Sequence, residues 1–146
     1  MDISTNKQAY FNYQILEIYE AGVELKGFEV KAIKTGHINL SGSYAIVKNN
    51  QLWLLNADIP PYQPKNTPPN YDFKRTRRLL LKAAEIKNLI GRVKEKGLTL
   101  VPLKVYTKNR RIKIEIGLAK SKKEYDKREI IKKREVQRQI REKFRG

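Results

Sequence analysis

From residue 111 to 118 the chain alternates without a break. Ile112, Ile114, Ile116 and Leu118 fall on one side, and Arg111, Lys113 and Glu115 on the other. A period of two predicts a half-buried strand. Residues 99–106 alternate in the same way, with Val101, Leu103 and Val105 on one face. Pro102 in this run lacks a backbone donor, so it is expected at an edge or a bulge. A turn over residues 107–110 joins the two runs. Residues 13–20, rich in aromatic and β-branched side chains, predict a first strand after a short polar start. Residues 44–47 and 52–56 flank Asn49 and Asn50, a pair suited to the positive φ angles of a tight hairpin turn. Trp53, in the second of these strands, is expected in the barrel core.

Helical spacing is rarer. Phe28 and Ala32 stand four apart, and Gly36 follows, which predicts one or two helical turns closed by a glycine, with a strand as the alternative reading. Ala83, Ile86, Leu89, Ile90 and Val93 trace an amphipathic helix that Gly97 stops. Gly91 within it weakens the helix by about 1 kcal/mol relative to alanine. Five of the six prolines fall between Pro60 and Pro69, which predicts an extended, polyproline-like loop on a single domain.

After Leu118 the alternation ends. Residues 119–146 carry 12 Lys/Arg against 5 Asp/Glu and no glycine or proline before the last position. So little apolar surface cannot offset the entropy of ordering the segment, so it is expected to be mobile alone. Its composition nevertheless suits a helix, and Val136, Ile140 and Phe144 form one narrow apolar line. The expectation is a domain over 1–118 and a tail over 119–146 that is disordered when free and helical on an anionic partner.

Charge sharpens the picture. The net charge is +17, of which residues 1–118 hold +10, from 20 Lys/Arg and 10 Asp/Glu. A positive field spread over both parts makes nucleic acid the leading partner. An anionic membrane is the rival, but no basic segment has a broad apolar face or a lipidation signal. No run reaches transmembrane length and the N-terminus has no signal-peptide core, so a cytoplasmic location is expected. With no Cys and one His, thiolate metal sites and Cys nucleophiles are excluded. His37 beside Gly36 reads as a loop histidine. No nucleophile elbow, phosphate-binding glycine loop or dinucleotide fingerprint is present, so neither an enzyme nor a cofactor or metal is expected. About six short strands, one good helix and shorter helical pieces point to a mainly β chain, a small antiparallel barrel with flanking helices.

Five motifs carry a resemblance. They are EAGVELKGFEVKAIKTGHINLSGSY (residues 20–44), IPPY (59–62), KRTRRLLLKAAEI (74–86), GLTLVPLKVY (97–106) and LAKSKKEYDKR (118–128). Together they resemble SmpB, the bacterial family that binds transfer-messenger RNA and rescues stalled ribosomes. Gly42 and Ser121 depart from the family's usual acid and glycine, and Tyr125 stands where many members carry His. The resemblance implies an OB-like barrel of about six strands. It also implies binding to the tRNA-like part of transfer-messenger RNA, which then enters a stalled ribosome's A site.

It nominates Asn6, Glu20, Leu80 and Lys113 for RNA contact, and the basic residues Lys31, Arg75, Arg77 and Arg78 join them. A carboxylate such as Glu20 repels phosphate, so on an RNA-facing surface it must accept hydrogen bonds from bases or orient a cation. Taken as isolated residues, Glu20 reads as a strand-end partner of Lys and Leu80 as core. In the tail, Lys122, Lys123, Tyr125, Asp126, Lys127, Arg128, Lys132, Lys133 and Arg134 are expected to meet the small-subunit decoding site and the empty mRNA channel. The chain is expected to act as a monomer. The alternative is a basic ribosomal protein with an rRNA-binding extension, which composition alone does not separate from a rescue factor.

Overall fold

In the computed structural model, which describes residues 2–63, 65, 67–95, 97–122 and 138, seven strands and three helices follow one another along the chain. They are β1 (Asp2–Thr5), α1 (Lys7–Asn12), β2 (Tyr13–Val23), α2 (Gly27–Lys34), β3 (Tyr44–Lys48), β4 (Gln51–Leu55), β5 (Arg77–Leu80), α3 (Ala83–Arg92), β6 (Leu98–Lys108) and β7 (Arg111–Ser121). All strand pairs are antiparallel. The order β6-β3-β4-β5-β2-β7 closes on itself where β6 pairs β7, and β1 adds to the free edge of β6. Six strands therefore make the barrel, as expected, and the seventh is the segment read as a polar start. Its four residues carry too little pattern to announce a strand.

Local chemistry sets the turns. Asn49 and Asn50 take φ of 53° and 58°, the geometry of a two-residue hairpin between β3 and β4. Asn109 and Arg110 repeat it between β6 and β7, with φ of 52° and 65°. The glycine-closed helix over α2 forms as predicted, and Gly36 beyond it has a φ of 86°.

Two apolar clusters lie on opposite faces of β7. Ile112, Ile114, Ile116 and Leu118 point into the barrel with Leu52, Leu54, Leu79 and Leu100, and α2 and α3 add Ala32, Ile33 and Leu89. Ala119 points outward and packs with Ala9 of α1, Val101 and Leu103. The two faces exchange on β6 at Leu103, where the register shifts between Pro102 and Lys104. Leu100 and Val105 thus both reach the main core although they are five apart, while Val101 and Leu103 serve the cluster under α1. The bulge expected at Pro102 is present, but Val101, Leu103 and Val105 do not share one face.

Other expectations are corrected by the same geometry. Trp53 is not core: Leu52 and Leu54 take the inward positions of β4, leaving Trp53 half-buried outside, its indole N–H donated to the Lys48 carbonyl at 3.1 Å. Residues 77–80 form a strand that no alternation in the sequence announces. A boundary after residue 118 falls inside β7, which runs on to Ser121 because Ala119 is needed beneath α1. Lys122 then docks on α1, its N–H to the Asn12 carbonyl and its ammonium to the Tyr10 carbonyl at 3.1 Å.

Candidate RNA-binding surface

The outer face of three neighbouring strands brings three of the nominated residues together. Gly22 of β2 stands opposite Leu80 of β5 on one side and opposite Lys113 of β7 on the other. Lys113 is in turn opposite Tyr106 of β6. The row Leu80, Gly22, Lys113, Tyr106 thus crosses four strands. Glu20, two residues before Gly22, lies on the same face and opposite Glu115. Leu80 is 42% exposed, so it is not the core leucine that its apolar character suggests. Gly22 explains the closeness of its neighbours: a Cβ there would meet Leu80 Cβ at 3.4 Å and Lys113 Nζ at 3.8 Å.

Glu20 is held, not loose. The Tyr106 hydroxyl donates to Oε2, and the Lys108 ammonium lies 3.4 Å from Oε1. The Tyr106 hydrogen bond, aided by Lys108 and Lys113 against the penalty of partial burial, keeps its carboxyl below the usual carboxylate range. Burial and the same contact push the Tyr106 hydroxyl well above its ordinary value. At neutral pH the pair is therefore a phenol donating to a carboxylate, with lone pairs left for further donors.

Beside this row lies an open cleft of about 320 Å³. Val23, Leu25, Val30, Leu80 and Ile112 give it apolar walls, and Arg110, Arg111 and Lys113 give it a cationic rim. Among the described residues none of these three cations is ion-paired. The sequence reading nominated only Lys113 and Leu80 here. Arg110 is legible as the end of a hairpin turn and Arg111 as an outward residue of the strand after it, but nothing in sequence places them over Leu80.

Other nominated residues stand elsewhere. Arg77 is wholly buried and so corrects its assignment to the RNA surface. Its Nε donates to Glu29 Oε2 at 2.8 Å, and its terminal nitrogens reach the carbonyls of Ala57 and Phe73 and the Tyr71 oxygen. Arg75 grips the same carboxylate and is only partly exposed. Burial alone would raise the Glu29 carboxyl, but Arg75, the Lys26 N–H and Arg77 outweigh it and hold it at about 2. Burial likewise pushes the Tyr71 hydroxyl up to about 12. Two of the four cations at 74–78 are thus spent inside, tying the proline-rich loop to α2.

Asn6 is buried too. Its carbonyl oxygen accepts from Ala9 N–H at 3.2 Å to cap α1, and its amide donates to the Pro102 carbonyl at 2.9 Å. The Asn6 side chain is committed to joining α1 to the β6 bulge. Arg78 faces out beside Leu80 but pairs with Glu24 at 3.2 Å, and Lys31 is exposed on α2. Lys123, Tyr125, Asp126, Lys127, Arg128, Lys132, Lys133 and Arg134 lie outside the described residues.

Comparison with known proteins decides the family. The profile described as SmpB protein matches residues 3–146. The chain belongs to the SmpB family. A relative from Gloeothece citriformis, named SsrA-binding protein, is 52% identical over 94% of this chain and 89% of its own length. One of the same name from Thermosipho africanus is 53% identical, over 96% and 94%. A solved structure described as "tmRNA-SmpB: a journey to the center of the bacterial ribosome" is similar at a TM-score of 0.68 and 45% identity, covering 83% of this chain and 85% of that one. Seen on this fold, the motif at 20–44 that carries the SmpB resemblance has two jobs. Glu20 and Gly22 belong to the outer face, while Glu29 anchors the proline-rich loop from inside.

Proposed function

We propose that this SmpB-family chain is the RNA-binding factor of trans-translation: it binds the tRNA-like part of transfer-messenger RNA and brings it to the A site of stalled ribosomes. It works as a binding factor in the cytoplasm rather than as a catalyst. No helix among the described residues is long and apolar enough to cross a membrane. The observation that supports this best is the outer row itself, where an exposed leucine, a lysine and an oriented carboxylate share one face. Structured RNA is read through shape, phosphates, 2′-hydroxyls and unstacked bases, and such a face has a group for each. Lys113 supplies affinity that any RNA can use, and Glu20 supplies register. The basic tail after the barrel enters the empty mRNA channel, with Tyr125, Asp126, Lys127 and Arg128 near the decoding site.

The test is the RNA carried by the full-length protein in its host cell. Transfer-messenger RNA bound to a substoichiometric protein is expected. A stoichiometric protein that stays on washed ribosomal subunits without that RNA would instead establish a structural ribosomal protein.

A further inference from the structure

We infer that the cleft between β2, β5, α2 and the β6–β7 turn is a receptor for one unstacked nucleotide of the bound RNA, its base on Leu80 and Val30 and its phosphate on Arg110 and Arg111. The inference rests on the RNA-binding reading above and adds to it a site and an occupant. Three observations carry it.

First, the cleft is amphipathic in the way a nucleotide is. Its walls are aliphatic, and among the described residues its rim holds three cations outside any ion pair and no acidic side chain lines it. At about 320 Å³ it sits at the small end of ligand pockets and is roomy enough for a nucleobase. Second, Gly22 keeps it open. A methyl there would touch Leu80 and approach Lys113 without striking any backbone, so glycine at this place preserves space rather than avoiding a clash. Third, Arg110 sits in the second position of a tight turn at a φ of 65°, where glycine or asparagine would be unstrained. An arginine there costs backbone strain and sets a free guanidinium at the mouth of the cleft. An unstacked base with its phosphate meets these demands in one ligand, and folded RNA offers such bases in its loops.

The experiment titrates full-length protein with a transcript of the tRNA-like part of transfer-messenger RNA. The proteins are wild type, Gly22→Ala and Arg110→Gly, each also melted thermally. Single abasic sites are placed in turn at the transcript's unpaired positions. Gly22→Ala is expected to melt like wild type and bind at least about tenfold more weakly. One abasic position is expected to cause a similar loss in wild type and little further loss in Gly22→Ala. Arg110→Gly is expected to melt higher yet bind more weakly, with the salt dependence reduced by about one phosphate contact. Wild-type affinity in Gly22→Ala, or full additivity at every abasic position, overturns the nucleotide site while leaving the RNA-binding reading intact. Failure of the wild-type protein to bind the transcript overturns both.

Discussion

Arg77 Nε lies 2.8 Å from Glu29 Oε2, and neither side chain is reached by solvent. The pair joins the first residues of α2 to the start of β5, with the proline-rich loop strung between them. Tyr71 and Arg75 complete its hydrogen bonds, which is what makes a buried ion pair tolerable.

Breaking this pair is expected to destabilise the barrel. Arg77→Met leaves Glu29 buried with one cation fewer, at a cost of about 3–5 kcal/mol. Urea denaturation measures it. A loss under about 1 kcal/mol would contradict the stabilising role of the pair.

The same carboxylate sets an acid limit. Glu29 is held at about 2 when folded, against 4.5 for an ordinary glutamate. A depressed carboxyl contributes stability that is fully present above the unfolded value and is lost as pH falls through the folded one. Stability is therefore expected to fall by about 3 kcal/mol between pH 4.5 and 2 from this group alone. Denaturation across that window should be less pH-dependent in Glu29→Gln, although that variant starts lower. Equal slopes would contradict the assignment.

Gly117 supports the second cluster by absence of a side chain. A Cβ there would stand 2.9 Å from Leu103 Cδ1 and 3.3 Å from Ile15 Cγ2. Leu103 is fully buried, so its side chain would have to shift within a packed cluster. Gly117→Ala is expected to cost about 1–3 kcal/mol by overpacking. Thermal melting beside Gly22→Ala, which meets only ordinary contacts, separates a packing glycine from a spacing one.

Glu20 and Lys113 are expected to fail differently. Lys113→Ala should weaken binding to every RNA and lower the salt slope by about one contact. Glu20→Ala should cost about 1–3 kcal/mol with the tRNA-like RNA and little with unrelated RNA. Tighter binding of all RNAs by Glu20→Ala would make the carboxylate a mere repulsive neighbour.

Barrel and tail divide the work. Removing residues 129–146 is expected to leave affinity for the tRNA-like RNA nearly unchanged while abolishing peptide tagging on stalled ribosomes. Tagging that survives the truncation would contradict the division.

The barrel was legible wherever a strand buries one face and exposes the other. Residues 111–118 show this, and so does the hairpin at Asn49–Asn50. Legibility failed where a rule is locally reversed. An inward Arg77 beside an outward Leu80 inverts the pattern of β5, so no alternation marks the strand. The Leu103 bulge reverses a face within an apparently clean alternation. Residue type puts Trp53 in the core, whereas register with the inward Leu52 and Leu54 puts it outside. Glu20, Leu80 and Lys113 were named through the family resemblance. Their meeting around Gly22 depends on the pairing of β2 with β5 and β7, strands far apart in sequence.

In the proposed function, RNA recognition rests on Leu80 as a contact residue of a folded surface. The most direct measurement is the affinity of full-length Leu80→Asp for the tRNA-like RNA, beside its melting temperature. Leu80 is exposed enough to accept a carboxylate, so the fold should melt as wild type does while affinity falls about 100-fold. Wild-type affinity in a folded Leu80→Asp protein would show that the RNA binds elsewhere on the barrel.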